Sequence, residues 1–328
     1  MITRRDFSAG GLAALATPTI LRPAFGQESD KDYPNKPLRA ICMFPPGSGA
    51  DISVRYFSAK LAKVSGQSVI VENRVGANGN LANEFVARAK PDGYTIYIAP
   101  GSSVLAPAPY LFKNISFNPL TDFEHVTTLY ATQFLLCVDS QSPFKTLPDL
   151  TAFLREKGDQ ASYGSTANTG VIASEFYKAA FGLKTVEVKY KVSQTTYNDL
   201  SSGALAFAHL DFRGNAGAIR EGRVRALATS SDQRMRILPD VPSAKEAGMK
   251  EFIMAWWSVH MPAKTPEPIL ARLEGWFNEI VADPETEKFL VSSGSEPLPG
   301  NRKIVRDMLA RDLKNWEHWV KLANIEPQ

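Results

Sequence analysis

Short apolar runs alternate with amphipathic segments along most of the chain, beginning near residue 38. In the first third, the runs predict three strands, Leu38–Phe44, Val69–Val71 and Thr95–Ala99, with a helix after each of the first two. The first helix is expected to start at Asp51, a favourable N-cap residue, and to end at Gly66. Strand–loop–helix units of this length predict a mostly parallel sheet with helices on both faces.

A second series of the same kind follows an extended stretch, Glu124–Val138. Its predicted strands are Ser162–Gly164, Val186–Lys189, Ala204–Leu210 and Arg225–Ala228. Another extended stretch, Phe252–Met261, precedes helices that begin near Pro266, Pro284 and Asn301. The two series predict two α/β lobes, and the two extended stretches are the expected crossings between them. We therefore assign residues 27–130 and 256–328 to the first lobe and residues 131–255 to the second.

Residues 1–26 have the features of a cleaved export signal. A basic start carrying Arg4 and Arg5 leads into a mildly apolar stretch, and the small residues Ala24 and Gly26 fit a cleavage site before Gln27. The segment Thr3-Arg4-Arg5-Asp6-Phe7 resembles the twin-arginine signal of bacteria, and an ordinary secretory signal is the alternative. Both alternatives predict export, to a bacterial periplasm.

Composition and charge exclude several classes of protein. The chain has 44% hydrophobic and 22% charged residues, as expected of a soluble globular protein, and its two cysteines exclude a disulfide-rich scaffold. Of its 37 basic and 34 acidic residues, three arginines and one aspartate lie in the predicted signal, so the rest is nearly neutral. This balance gives no case for a nucleic-acid partner. No histidine pair has metal-ligand spacing, and no cofactor is expected.

Two loops have the chemistry of an anion site. Gly47-Ser48-Gly49 lies between a predicted strand and a helix, but Ile52 replaces the third glycine of the dinucleotide pattern and no phosphate-loop lysine follows. Ser165–Thr169 opens another helix in the other predicted lobe. Backbone N–H groups at a helix start attract anions, and one such loop alone is usually only a tight turn. One loop in each lobe favours an anion clamp across a cleft.

A secreted hydrolase-like enzyme acting on a small carboxylate or ester is the alternative. Its essential side chain would be among Ser165, His209 and Asp211. However, no serine has the Gly-x-Ser-x-Gly pattern, and no serine stands near His209 and Asp211 in the sequence. His209 therefore reads more readily as a hydrogen-bonded polar group at the end of a strand.

Several ordered segments carry a resemblance to a known family. The chain resembles the Bug-type periplasmic receptors, the solute-binding component of tripartite tricarboxylate transporters. The matching segments run in the same order as in that family from about Tyr33 onward. They are Phe44–Asp51 (FPPGSGAD), Val71–Asn80 (VENRVGANGN), Lys90–Thr95 (KPDGYT), Tyr163–Ser165 (YGS), Arg225–Ala228 (RALA) and Leu238–Pro242 (LPDVP).

The resemblance implies a type II periplasmic-binding-protein fold, in which two α/β lobes joined by crossing strands close on a ligand cleft. It also implies that the two anion loops hold one ligand carboxylate through backbone amides and bridging waters, while more variable residues contact the far end of the ligand. The expected ligand-binding residues are Phe44, Pro46, Gly47, Ser48, Ser102, Ser103, Ser165, Thr166, Ala167, Asn168, Thr169, Asp211 and Arg213.

The departures from the family pattern bear on the ligand. Ser48 stands where the family has glycine, and Phe212-Arg213 follow Asp211 where a small polar pair is common. Arg213 could pair with a second ligand carboxylate, or it could be a surface residue. We expect a small organic carboxylate, either an aliphatic dicarboxylate or an aromatic one such as terephthalate, captured by a monomer for uptake or sensing. The partners implied are the membrane components of a tripartite tricarboxylate transporter, or a sensor.

Overall fold

The computed structural model describes residues 32–190 and 193–327. The predicted export signal, residues 1–26, lies outside these ranges. In the described part of the chain, no helix is both long enough and apolar enough to cross a membrane.

The strands form two sheets, one of six strands and one of five, within the described residues. Numbered along the chain, the strands are β1 Leu38–Cys42, β2 Val69–Asn73, β3 Thr95–Pro100, β4 Phe123–Thr132, β5 Phe134–Asp139, β6 Ser162–Ser165, β7 Val186–Lys189, β8 Phe207–Asp211, β9 Val224–Thr229, β10 Ala255–Pro262 and β11 Ser295–Pro297. The helices are α1 Gly49–Ser65, α2 Asn80–Ala87, α3 Ala108–Leu111, α4 Leu147–Lys157, α5 Asn168–Phe181, α6 Ser193–Ser201, α7 Phe212–Arg220, α8 Glu267–Ala282, α9 Pro284–Ser292 and α10 Arg302–Leu322.

Both sheets are mixed, which corrects the prediction of a mostly parallel sheet. In the first sheet, ordered β11-β4-β10-β3-β1-β2, β1 is parallel to β2 and β3, whereas β10 is antiparallel to β3 and β4. In the second, ordered β7-β6-β8-β5-β9, β6 is parallel to β7 and β8, whereas β5 is antiparallel to β8 and β9. The crossing strands β5 and β10 are antiparallel to their neighbours because each enters its sheet at the carboxyl ends of the parallel strands.

The chain passes directly from one sheet to the other between β4 and β5 and returns between β9 and β10. The predicted stretch Glu124–Val138 is therefore two strands, separated at Gln133, and Phe252–Met261 corresponds to β10. Each sheet with the helices packed on it forms one α/β lobe, and we call the six-stranded one the first lobe. The residue boundaries assigned to the lobes stay a prediction.

The start of α1 differs from the prediction. Ser48, not Asp51, is the N-cap residue, and its Oγ accepts a hydrogen bond from the Asp51 amide at 3.2 Å. The buried face of the helix includes Phe57 and Leu61, while Ile52 is exposed. Gly66 ends the helix as predicted, with a φ of 71° that a residue with a side chain rarely adopts.

A histidine pair that sequence spacing did not reveal lies buried in the first lobe. Pairing of β4 with β10 places His125 beside His260, with 2.9 Å between their Nδ1 atoms. Burial lowers the pKa of His125 to about 4 and that of His260 well below its usual value, so both rings are neutral. In the described residues no third histidine, cysteine or carboxylate joins them to form a metal-binding group.

Candidate ligand-binding site

The predicted site residues follow four strands whose carboxyl ends face the crossings between the lobes. Two of these strands, β1 and β3, belong to the first lobe, and two, β6 and β8, belong to the second. The two strands of each pair are parallel neighbours, so their carboxyl ends lie at the same side of the sheet. In open α/β sheets this edge is where ligands bind.

A buried carboxylate organises the loop after β1. Asp51 is only 1% exposed, and its Oδ2 accepts hydrogen bonds from the Gly47 amide at 2.9 Å and from Arg55 Nε at 2.8 Å. Its Oδ1 accepts from Asn73 Nδ2 at 2.7 Å, and the same amide donates to the Phe44 carbonyl oxygen. Burial alone raises the pKa of Asp51, but the hydrogen bonds from these groups outweigh it and hold that pKa below its usual value.

These bonds change which backbone donors the loop can offer to an anion. The Gly47 amide is used by Asp51, and the Ser48 amide donates to the Pro45 carbonyl oxygen at 3.2 Å. The first two residues of α1, Gly49 and Ala50, have amides with no acceptor inside the helix. The expected ligand-binding residues included Gly47 and Ser48 but not Ala50, nor Gly49, although Gly49 belongs to the predicted anion loop. The position of the cap residue, which decides which amides remain available, was not predicted correctly.

The loop after β6 offers a similar pair of amides. Ala167 is the N-cap residue of α5, and its carbonyl oxygen accepts from Gly170 at 2.9 Å, which leaves the amides of Asn168 and Thr169 without an acceptor inside the helix. Thr166, Ala167 and Asn168 are half-buried, while Thr169 is buried.

Ser165, the last residue of β6, holds that loop in place. Its hydroxyl is buried and donates to the carbonyl oxygen of His209 on the neighbouring strand at 3.0 Å. Gly170 must be glycine, because a Cβ atom there would lie 2.0 Å from Ser165 Oγ. Ser165 is thus engaged within the second lobe, and the residues after it are the ones that reach the surface.

In the loop after β3, the two predicted serines have different environments. Ser102 is buried, its hydroxyl accepts from the Trp256 amide at 3.0 Å, and its carbonyl oxygen accepts from Trp316 Nε1 at 2.6 Å. Gly101 allows this close packing, since a Cβ atom there would lie 2.2 Å from the Trp256 ring. Ser103 is half-buried and is the serine whose side chain remains available at this edge.

Phe44 and Pro46 form the outer part of the loop after β1. The Phe44 ring stacks on Trp257, with 5.6 Å between ring centres, and Trp257 in turn stacks on Tyr130 at 5.3 Å. Pro46 is exposed. The aromatic stack holds Phe44 against the first lobe.

The junction between β8 and α7 contains the two charged candidates. Asp211 is half-buried and caps α7, because its Oδ1 accepts from the Gly214 amide at 2.6 Å. Burial raises the pKa of Asp211 above its usual value. Arg213 donates from Nη1 to the carbonyl oxygen of Gly49 at 3.1 Å, a contact between the first turns of α7 and α1 across the lobes.

The three residues named for the hydrolase alternative, Ser165, His209 and Asp211, do not form a catalytic arrangement. The His209 ring is buried and pairs through Nδ1 with Ser174 Oγ at 2.7 Å, which confirms that it is a hydrogen-bonded polar group. Ser165 contacts the backbone of His209 and not its ring. Asp211 is occupied as a helix cap, so the described residues do not join the three candidates into a nucleophile–base pair.

The buried His209 ring makes a testable contribution to the pH dependence of stability. Burial lowers its pKa to about 3, whereas an unfolded histidine has a pKa of about 6.5. The neutral ring therefore contributes stability that is complete above about pH 6.5 and is lost as the pH falls towards the folded-state value. Between about pH 7.5 and about pH 5.5, we expect the unfolding free energy of His209→Gln to fall by about 1.4 kcal/mol less than that of the unmodified protein.

Chemical denaturation at the two pH values measures this difference. The matched control is His318→Gln, because the His318 side chain is 64% exposed. The unfolding free energy of His209→Gln should fall less than that of the control, and an equal pH dependence of the two variants would contradict the prediction.

Comparison with solved structures identifies the class of protein. The adipate-bound Rpa4515 of R. palustris superposes with a TM-score of 0.81 at 26% identity, covering 90% of this chain and 100% of that chain. MatC of Rhodopseudomonas palustris with bound malate superposes with a TM-score of 0.76 at 26% identity, covering 88% of this chain and 100% of that chain. The type II periplasmic-binding-protein fold is thereby confirmed.

The sequence comparisons then give the family. Residues 53–325 match the tripartite tricarboxylate transporter family receptor, TctC. A UPF0065 protein of Bordetella bronchiseptica is 30% identical over 315 residues, which cover 95% of this chain and 93% of that protein. The chain belongs to the TctC family of periplasmic solute-binding receptors, as its resemblance to Bug-type receptors predicted. This is a family of receptors and not of enzymes.

Proposed function

We propose that this receptor binds a small organic acid and holds one carboxylate between the first turns of α1 and α5. The observation that carries the proposal is the pair of helix starts, one in each lobe, each with two backbone amides that lack an intrahelical acceptor. Four N–H donors and two positive helix ends suit one carboxylate, and water can bridge donors beyond direct reach. Adipate and malate in the two solved relatives are also carboxylates.

The far end of the ligand is proposed to lie near Ser103 and Asp211. Burial raises the pKa of Asp211 above its usual value, and its Oδ1 accepts a hydrogen bond from the Gly214 amide at 2.6 Å. An aliphatic dicarboxylate is the first choice, because adipate and malate in the two solved relatives carry a second carboxyl group, and an aromatic dicarboxylate such as terephthalate is the second. A ligand with a distal hydroxyl or amine, which could donate to an ionised Asp211, is the alternative.

A thermal-shift screen of monocarboxylates, dicarboxylates and aromatic carboxylates tests this function. We expect at least one dicarboxylate to raise the melting temperature by several degrees, because a ligand that binds only the folded state stabilises it. Chromatography of the same mixture should recover the compound unchanged. A compound that is converted to a product would instead support the hydrolase alternative.

We propose further that residues 1–26 are a twin-arginine export signal cleaved near Gly26, and that the monomeric receptor delivers its ligand to membrane components of a transporter or to a sensor. The supporting observation for export is the Thr3-Arg4-Arg5-Asp6-Phe7 segment at the start of the chain. The double substitution Arg4→Lys with Arg5→Lys is expected to reduce the periplasmic yield strongly, as measured by cell fractionation. An unchanged yield would favour the general secretory route.

A further inference from the structure

The guanidinium group of Arg213 reaches from the second lobe into the first. Its Nη1 donates to the carbonyl oxygen of Gly49 at 3.1 Å. Its Nη2 donates to Ser293 Oγ at 2.8 Å and to Ser295 Oγ at 3.3 Å. One side chain at the start of α7 therefore joins three segments of the other lobe: the first turn of α1, the turn after α9, and β11.

Packing contacts hold this side chain in place. The guanidinium carbon lies 5.6 Å from the ring centre of Tyr130 and 5.6 Å from that of Phe289, within the range of cation–π attraction. The adjacent Phe212 is buried against Gly294, where a Cβ atom would lie 2.6 Å from the Phe212 side chain. The start of α7 is thus docked on the first lobe by an apolar contact as well as by hydrogen bonds.

These contacts leave no edge of the guanidinium group for a ligand. A carboxylate that pairs with arginine in the bidentate manner needs two neighbouring N–H groups on one edge. Nη1 and Nη2 are bonded to protein oxygens, and Nε is buried with no hydrogen-bond partner among the described residues. Arg213 therefore matches neither role considered from the sequence, a ligand contact or a surface residue.

The carbonyl group that Arg213 holds belongs to the residue that opens α1. Gly49 also lacks space for a side chain, because a Cβ atom there would lie 3.0 Å from Arg213 Cδ. We propose that Arg213 is a positioning residue that fixes the first turn of α1 from the opposite lobe, so that the Gly49 and Ala50 amides face the ligand carboxylate. This inference rests on the proposed function, because it concerns the amides assigned there to the carboxylate.

Another arginine on the same helix supplies a matched control. Arg220 Nη2 donates to the carbonyl oxygen of Ser292 at 3.0 Å, so it also bridges the lobes, but it makes no hydrogen bond to α1 in the described structure. Loss of a bond between the lobes in general would affect variants of Arg213 and Arg220 alike. Loss of the position of α1 would affect Arg213 variants alone.

Hydrogen–deuterium exchange of the unliganded protein tests the first half of the proposal without any ligand. In Arg213→Gln, peptides covering residues 44–55 are expected to exchange faster, by about 10-fold, because the charge-assisted bond to Gly49 is gone. Arg213→Lys, which keeps the charge but not the planar fork, should lie in between and serves if the glutamine variant does not fold. Unchanged exchange in residues 44–55, or equal acceleration in Arg220→Gln, would overturn the assignment.

Binding of adipate and of hexanoate, its six-carbon monocarboxylate, tests the second half. A positioning role predicts that Arg213→Gln weakens both ligands by a similar factor of about 10, mainly through faster dissociation, while Arg220→Gln changes affinity by less than about 2-fold. A loss confined to adipate would instead make Arg213 a contact for the second carboxylate and overturn the proposal. If the unmodified protein binds no carboxylate, the proposed function fails, while the exchange experiment still decides whether Arg213 positions α1.

Discussion

The substitution Thr166→Trp is expected to lower carboxylate affinity by at least about 100-fold in a protein that remains folded. Thr166 is half-buried and lies just before Ala167, the N-cap residue of α5. An indole at this position would occupy the space in front of the Asn168 and Thr169 amides. A carboxylate oxygen must approach such amides to about 2.9 Å, so a displaced anion loses most of its binding energy.

The control for this prediction is the same substitution at an exposed position of the same lobe. Thr195 is exposed on α6, and Thr195→Trp should leave affinity unchanged within about 2-fold. Calorimetric titration with the best ligand of the screen gives both affinities, and circular dichroism establishes that both variants are folded. Full affinity in a folded Thr166→Trp variant would remove this loop from the site.

The substitution Asp51→Ala is expected to have the largest effect on stability, a loss of about 3 kcal/mol. Asp51 is 1% exposed, and its carboxylate accepts hydrogen bonds from Gly47, Asn73 and Arg55. Removing it leaves the donors of Gly47 and Asn73 without their acceptor and frees the loop that precedes α1. We also expect a loss of carboxylate affinity of about 30-fold, because the loop no longer fixes the start of the helix.

Arg55→Ala removes the charge pair and the bond from Arg55 Nη2 to Asn73 Oδ1 at 3.1 Å, but it keeps the bonds that Asp51 accepts from Gly47 and Asn73. The Arg55 side chain is 50% exposed, so its pairing with Asp51 is screened by water and should contribute less than about 1 kcal/mol. Urea denaturation of the two variants measures the difference. Equal losses in Asp51→Ala and Arg55→Ala would mean that the ion pair, and not the bonds to Gly47 and Asn73, accounts for the role of Asp51.

The succession of strands and helices could be predicted from the sequence because local signals specify it. The pattern Thr146-x-x-Asp149, for example, is typical of a capping box at a helix start, and in the structure these two residues form one at the start of α4. The mixed direction of the sheets could not be predicted in this way. The direction of β5 and β10 depends on whether the chain enters each sheet at the carboxyl or the amino ends of the parallel strands. The local sequence of β5 or β10 does not contain that information.

In the candidate site, too, some features could be predicted from the local sequence and others depend on contacts between distant residues. The two loops, Gly47-Ser48-Gly49 and Ser165–Thr169, could be found from the sequence. Glycine, serine, threonine and asparagine, which they contain, favour turns and helix starts. The sequence did not show which backbone amides are available to a ligand. That depends on the hydrogen bond from the Gly47 amide to Asp51 and on Ser48 as the cap residue. The role of Arg213 depends on packing between lobes, where Gly49 is a neighbour only in three dimensions.

Calorimetric titration with a carboxylic acid and its neutral amide tests the central claim most directly. The claim is that two helix starts, one in each lobe, bind the negative charge of one carboxylate. For the best acid from the screen, we expect micromolar or tighter binding and at least about 100-fold weaker binding of the corresponding amide, which has the same shape but no charge. Equal affinity for the acid and the amide, or no binding of any acid in the screen, would contradict the account.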